Sequence, residues 1–230
     1  MSSIRDHIIH SDHHLVIVNK PPAYPLEGSD DPEKPGLLTG LQAYFKRDVF
    51  LVNRIDTPVS GVIVLTKNSE SAAKLSKQFR QREIKKLYLA VSRKKSTAES
   101  GAWQDNLKQL DHINKTVTDQ EKGKMAKTQF TLIESLDHVH LYLLRPETGR
   151  HHQLRVQMSE NLGAIRGDQK YGDKRGNKDR SIDLHSWALQ LTHPSSGELM
   201  TFVAELPQKP PWVHFDFLKQ DPDVGKYFKD

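Results

Sequence analysis

Asp56 follows Arg54 by two residues and precedes Thr57-Pro58-Val59-Ser60-Gly61, a segment with the composition of a tight turn between apolar runs. A carboxylate mounted there can act as nucleophile, general base or electrostatic stabiliser, since reactive groups are commonly carried on loops that a rigid scaffold holds. The same carboxylate could instead cap its own turn through a bond to the backbone ahead of it. Tyr88 lies in residues 86–91, where Leu87, Leu89 and Val91 alternate with Tyr88 and Ala90. The alternation turns Tyr88 away from the leucine face, either toward a ligand or across a neighbouring strand. The run Thr148-Gly149-Arg150-His151-His152-Gln153-Leu154-Arg155 reads as the start of a helix over residues 148–162. On that reading His151 and Arg155, four apart, share one face. Two arginines at the positive end of a helix are disfavoured unless an anion or a buried carboxylate compensates them. A second basic set, Lys74, Lys77, Arg80 and Arg82 followed by Lys85 and Lys86, suits a phosphate backbone or is an ordinary solvated helix face.

Other chemistries are absent from the sequence. Cysteine does not occur, which removes disulfides, thiol nucleophiles, zinc fingers and iron–sulfur clusters. No phosphate-cradling Gly-x-x-x-x-Gly-Lys, Gly-x-Gly-x-x-Gly or Gly-x-Ser-x-Gly is present. His151 and His152 diverge if helical, and His138 and His140 could share a strand face. With 12 histidines such pairs arise by chance, so no metal is expected.

The elements that must position these groups are mostly strands. Residues 15–18 form a buried run that Pro21-Pro22 stops, because proline has no N–H for a ladder. Residues 21–36 hold five of the 12 prolines together with Asp30, Asp31 and Glu33, the composition of an irregular surface loop. The spacing of Leu38, Leu41 and Phe45 predicts a helix over 37–45, and residues 50–52 a brief strand. Residues 61–65 form a second apolar strand. Asn68 or Ser69 caps the helix after it, whose apolar face is Ala72, Leu75 and Phe79. Residues 92–127 are polar with little period, a hairpin or extended excursion. Strands are expected at 130–136, 138–144, 185–192 and 201–206, with a turn at Pro194-Ser195-Ser196-Gly197 and Gly163 ending the helix over 148–162. Few of these alternate strictly with helices, so an α+β fold with a mixed, mostly antiparallel central sheet and flanking helices is expected.

The chain has 230 residues, enough to bury a real core in one domain or a domain with a lobe. Its net charge of +5 permits a polyanionic partner without demanding one. No stretch reaches the ~20 apolar residues of a membrane span and no signal-peptide core opens the chain, so a soluble, cytoplasmic protein is expected.

Taken together, these segments resemble the RluA-type family of RNA pseudouridine synthases, from about residue 12 to residue 207. Residues 12–21 (DHHLVIVNKP) resemble the family's opening strand and Lys-Pro. Residues 53–61 (NRIDTPVSG) are similar to its His-Arg-Leu-Asp-x-x-Thr-Ser-Gly, and 86–90 (KLYLA) to the strand with its active-site tyrosine. Residues 148–156 (TGRHHQLRV) match Thr-Gly-Arg-x-His-Gln-Ile-Arg-Val; GDQKYG at 167–172, Leu184-His185 and HPSSGE at 193–198 follow in family order. The resemblance implies a single catalytic domain with a central cleft where Asp56, Tyr88 and Arg155 converge. Asp56 becomes the catalytic carboxylate, Arg155 the cation that keeps it ionised, and Tyr88 the ring that stacks on the target base. Arg54, Arg150, His152 and Gln153 become substrate-binding residues. The implied partner is structured RNA, a tRNA or rRNA stem-loop, with no cofactor, no metal, no membrane and a monomeric protein.

Three departures fall near the site: Asn53 for the usual His, Val59 for the usual Thr, and Ala23-Tyr24 where relatives often have Gly. They bear on target choice and substrate fit. The chain also begins almost at the first strand, so the catalytic domain is expected to recognise its RNA without a separate N-terminal RNA-binding domain. Two other readings stay open, a non-catalytic RNA-binding or RNA-folding module on the same fold, and a glycosidase. The latter needs a second carboxylate at a defined distance, where the motif supplies Arg155.

Overall fold

The computed structural model describes residues 3–28, 36–215 and 223–228. The acidic part of the proline-rich loop, with Asp30, Asp31 and Glu33, lies outside the described residues. The chain divides into two compact units: Met1–Lys86 with Ser186–Gln208 and Asp221–Asp230, and Leu87–His185 with Lys209–Gln220.

The first unit is built on β2 (Leu15–Lys20) and β4 (Ser60–Thr66), which pair antiparallel with Leu15 opposite Thr66 and Lys20 opposite Gly61. β1 (Ile8–Ser11) extends the sheet from β2, and β3 (Phe50–Leu51) pairs with β4. The uninterrupted apolar runs of β2 and β4 follow from burial on both faces. Leu15, Ile17, Val62 and Val64 pack with Leu75 of α2 (Ser69–Gln81) on one side. Val16, Val18, Ile63 and Leu65 pack with Leu37 and Leu41 of α1 (Leu37–Phe45) on the other. Gly61, at φ +110°, is where β4 passes next to Ser186; a Cβ there would stand 2.1 Å from the Ser186 carbonyl oxygen, so only glycine fits.

α1 has the predicted bounds, and α2 starts at the predicted cap. The Asn68 side chain accepts from the Ser71 N–H at 2.8 Å and Glu70 sits in the first turn of α2, so cap and dipole agree. Asn68→Ala is expected to lower stability by about 1 kcal/mol, read as a shift in the urea midpoint with an unchanged slope. An unaltered midpoint would mean that another group takes over the cap.

In the second unit, β5 (Lys85–Ser92, from Leu87 onward), β9 (Val139–Pro146), β8 (Lys124–Leu136), β6 (Ser100–Leu110) and β7 (Lys115–Thr118) are hydrogen-bonded in that order, every pair antiparallel. The polar excursion over 92–127 is therefore ordered structure, a β6–β7 hairpin that β8 closes, with Trp103 stacked on Phe130 at 4.5 Å. β8 begins six residues before the apolar pattern does, because its first half pairs with polar β6. β10 (Leu184–Thr192) and β11 (Leu199–Val203) pair antiparallel around the predicted turn at Pro194 to Gly197, and the Ser186–Val203 part of this hairpin belongs to the first unit. The architecture is α+β, as expected from the sequence, with strands outnumbering the three α-helices among the described residues.

Two local expectations fail. The helix predicted over 148–162 is only α3 (Gln153–Asn161); residues 148–152 form a turn, and His152 adopts the left-handed conformation at φ +50°. Arg150, His151 and His152 thus precede the helix, and the four-residue spacing of His151 and Arg155 gives no shared helical face. His138 lies in the turn before β9, so it and His140 do not share a strand face, and His140 bonds Ser135 instead.

Candidate active site

Asp56 occupies the first position of a turn that the Val59 N–H closes on the Asp56 backbone carbonyl at 2.9 Å. Ile55 and Val59 on either side are buried, while Asp56 itself is half-buried. The backbone that carries the carboxylate is thereby held in a short closed turn between β3 and β4. Asn53, one of the departures from the family pattern, accepts the Val64 N–H through its side-chain oxygen at 3.0 Å. It prolongs the ladder of β4, which gives this substitution a structural role. Arg54 is exposed and pairs with Glu27 at 3.0 Å. A surface pair of this kind contributes little and leaves the guanidinium easily exchanged to another anion.

Lys20 joins the site without having been singled out by its place in the sequence. It is fully buried at the end of β2, and its ammonium donates to the carbonyls of Pro21, Tyr24 and Thr57, each at 3.0 Å. Three acceptors match the three N–H bonds of the charged form and tie the residue after Asp56 to the chain leaving β2. Burial pulls its pKa down to about 7, against the opposing attraction of the Asp56 carboxylate. The Lys-Pro signature was visible in the sequence; that its lysine points inward was not, since lysine is rarely buried.

The sign of the pH dependence follows from that shift. The unfolded chain holds the Lys20 proton up to about pH 10.5 and the folded chain releases it from about pH 7, so this group makes stability rise with pH across that window. Lys20→Met removes the titration. The stability difference between wild type and Lys20→Met is expected to move in favour of wild type by up to about 1.4 kcal/mol per pH unit between pH 7 and 9. Urea melts at several pH values measure it, and a pH-independent difference would contradict the shift.

In the second unit, Tyr88 sits half-buried on β5 opposite Leu144 of β9, between buried Leu87 and Leu89 as the alternation predicted. Arg155 is buried in the first turn of α3, and its Nε and Nη2 donate to both carboxylate oxygens of Asp168 at 2.7 and 2.9 Å. The buried carboxylate that a cation there calls for is thus supplied from 13 residues along the chain.

The turn before α3 is held by a buried polar network. Gln153 accepts from the Thr148 hydroxyl at 2.7 Å and the Arg150 N–H at 3.0 Å. Its amide donates to the Lys127 carbonyl at 3.1 Å and the Thr128 hydroxyl at 2.9 Å, so the side chain braces the turn against β8. Arg150 is half-buried, with Nε on the Met125 carbonyl at 3.1 Å. His152 is buried with Nδ1 2.9 Å from the Tyr171 hydroxyl. Burial and the nearby charge of Arg155 push its pKa down to about 3, so it stays neutral in ordinary buffers. Among the described residues, no group of three or more His, Asp or Glu side chains is placed to hold a metal ion. No described helix is long and apolar enough to cross a membrane.

Comparison with known proteins matches residues 14–160 to the RNA pseudouridylate synthase family. The chain is 33% identical over 218 residues to tRNA pseudouridine synthase C of Pectobacterium carotovorum subsp. carotovorum, covering 86% of this chain and 58% of that protein. It is 30% identical over 227 residues to ribosomal large subunit pseudouridine synthase C of Buchnera aphidicola subsp. Acyrthosiphon pisum, covering 89% and 68%. This chain therefore spans less than two thirds of the first relative's length and about two thirds of the second's. Among solved structures, human RNA Pseudouridylate Synthase Domain Containing 4 superposes with a TM-score of 0.72 at 26% identity over 89% of this chain and 90% of that one. The matched span contains Asp56, Tyr88 and Arg155 together with Lys20 and the turn before α3, and this chain belongs to the RNA pseudouridylate synthase family.

Proposed function

We propose that this protein is an RNA pseudouridine synthase that isomerises specific uridines in tRNA or ribosomal RNA, with Asp56 as its catalytic carboxylate. The observation that carries the reading is the mount of Asp56: a half-buried carboxylate on a backbone-closed turn, inside the span that matches the family. The two RNA classes come from the names of the relatives, one a tRNA and one a ribosomal large subunit pseudouridine synthase.

The reaction breaks the N1–C1′ bond of uridine, turns the base, and joins C5 to C1′. C5 loses its proton and N1 gains one, so atoms and electrons balance within the substrate, and the reaction calls for no cofactor and no metal. Asp56 can attack C1′, add to C6 or remove the C2′ proton; each requires it ionised. In this proposal Arg155 is the cation that favours its ionised form, as the family resemblance implies. Tyr88 stacks on the base and is the route for removing the C5 proton. Arg54, in its loose pair with Glu27, and Arg150 contact the RNA backbone. His152 and Gln153 act on the substrate by shaping the turn that presents Arg150, given their bonds to the protein. The target uridine must leave its stack at a cost of a few kcal/mol, which favours a loop or bulge over a paired stem. Both compact units would serve one catalytic domain, working as a monomer in the cytoplasm where tRNA and ribosomes are made.

Pseudouridine mapping of total tRNA and rRNA, from cells with and without the protein, tests this reading. A site that vanishes on deletion and returns with wild type but not with Asp56→Ala supports it and names the target. A site that Asp56→Ala restores equally well would favour the non-catalytic RNA-binding reading.

A further inference from the structure

One short turn of the second unit touches α3 with three different groups. Asp168 opens it and takes Nε and Nη2 of Arg155 edge-on. Tyr171, whose N–H bonds the Asp168 carbonyl at 3.1 Å, lays its ring under the same guanidinium, 5.0 Å from Cζ to the ring centroid. The Tyr171 carbonyl then accepts from the Ser159 hydroxyl at 2.7 Å, pinning the turn to the body of α3. A carboxylate fixes a guanidinium within its plane, and a ring fixes the plane itself, so together they leave Arg155 little rotational freedom.

The hydroxyl of Tyr171 looks the other way. It accepts the Thr116 N–H at 2.8 Å, on β7, the last strand of the unit's sheet. Its single proton serves His152 Nδ1 at 2.9 Å or the Thr116 carbonyl at 3.2 Å. His152 is stacked on His151 with centroids 3.8 Å apart, and His151 Nδ1 meets the Thr116 hydroxyl at 2.8 Å. These contacts hold His152 in a left-handed conformation, which is uncommon for a non-glycine residue.

We infer that Tyr171 is a positioning residue for Arg155: its ring sets the guanidinium plane, while its hydroxyl locks the Lys115–Thr118 strand of the 92–127 excursion to the turn that leads into α3. The inference rests on the functional reading above, in which Arg155 serves the reaction. It assigns the two halves of one side chain to two effects. The ring governs turnover, through Arg155, and the hydroxyl governs RNA affinity, through the seating of β7 and the Arg150 turn.

Two variants separate these halves, Tyr171→Phe keeping the ring and Tyr171→Leu removing both. Kinetics on the mapped RNA are expected to show kcat within about twofold of wild type but KM raised about fivefold for Tyr171→Phe. For Tyr171→Leu, kcat is expected to fall at least about tenfold in addition. By NMR, the ring-shifted Arg155 Nε–H resonance should persist in Phe and move in Leu, while the Thr116 amide exchanges at least about tenfold faster in both. Equal kinetic losses in the two variants would indicate a merely structural tyrosine and overturn the inference. So would an unmoved Arg155 resonance in Leu or, should Leu fail to fold, an unchanged Thr116 exchange in Phe. If wild type itself turns over no RNA, the functional reading fails while the two NMR measurements still decide the contacts.

Discussion

Asp56→Asn is expected to lower pseudouridine formation by at least about 10³-fold while leaving the protein folded. Asparagine has the shape of aspartate and can hydrogen-bond, but it is neither a nucleophile toward C1′ or C6 nor a base for the C2′ proton. The turn is closed by the backbone carbonyl of Asp56, which asparagine retains, and the flanking anchors Ile55 and Val59 are apolar and untouched. The turn should therefore persist, with a stability loss of about 1–2 kcal/mol because the buried Lys20 ammonium loses the attraction of this carboxylate. Release of tritium from RNA labelled at uridine C5 reads the reaction directly, because the C5 hydrogen is lost when the new bond forms. Release at the wild-type rate by a folded Asp56→Asn would remove Asp56 from the chemistry and return the protein to the RNA-binding reading.

The largest effect on stability is expected at Asp168. Asp168 and Arg155 are 1% and 6% exposed at the side chain and joined by two charge-assisted bonds. Asp168→Ala leaves a guanidinium buried without this carboxylate, a change that costs about 3–5 kcal/mol when one member of a buried pair is deleted. For a chain of this length that corresponds to a fall in Tm of roughly 10 °C, measurable by calorimetry. The double variant Arg155→Met, Asp168→Leu removes both charges and should recover much of the lost stability, since replacing a buried pair by apolar groups is often neutral. It should not recover activity. A double variant as unstable as Asp168→Ala would show that packing at these positions, and not the stranded charge, sets the cost.

What could be read along the chain was what short-range physics writes there. The two-sided apolar runs of β2 and β4 announce strands buried on both faces. The i, i+3, i+4 spacing of α1 sets bounds that the structure keeps, and the Asn68 cap with the Ala72, Leu75 and Phe79 spacing marks the start and the inner face of α2. Asp56 on a turn between strands and Tyr88 on the far side of the leucine face are local facts of the same kind.

The polar strands were less legible. β1, β6 and β7 are half-exposed, so no apolar period marks them and their pairing comes from the neighbouring strand. The turn at 148–152 has the periodicity of a helix, but the Thr148, Arg150 and Gln153 bonds to one another and to β8 outweigh helix propensity and hold it open. That Lys20 is caged by three carbonyls, that Arg155 meets Asp168, and that Tyr171 joins α3 to β7 were all decided by tertiary structure. A buried charge or hydroxyl must find its partners wherever the fold brings them, and sequence spacing carries no record of that distance. The sequence by itself determined which residue types are available for chemistry and which local elements carry them; only the folded chain decided which buried polar groups satisfy one another around them.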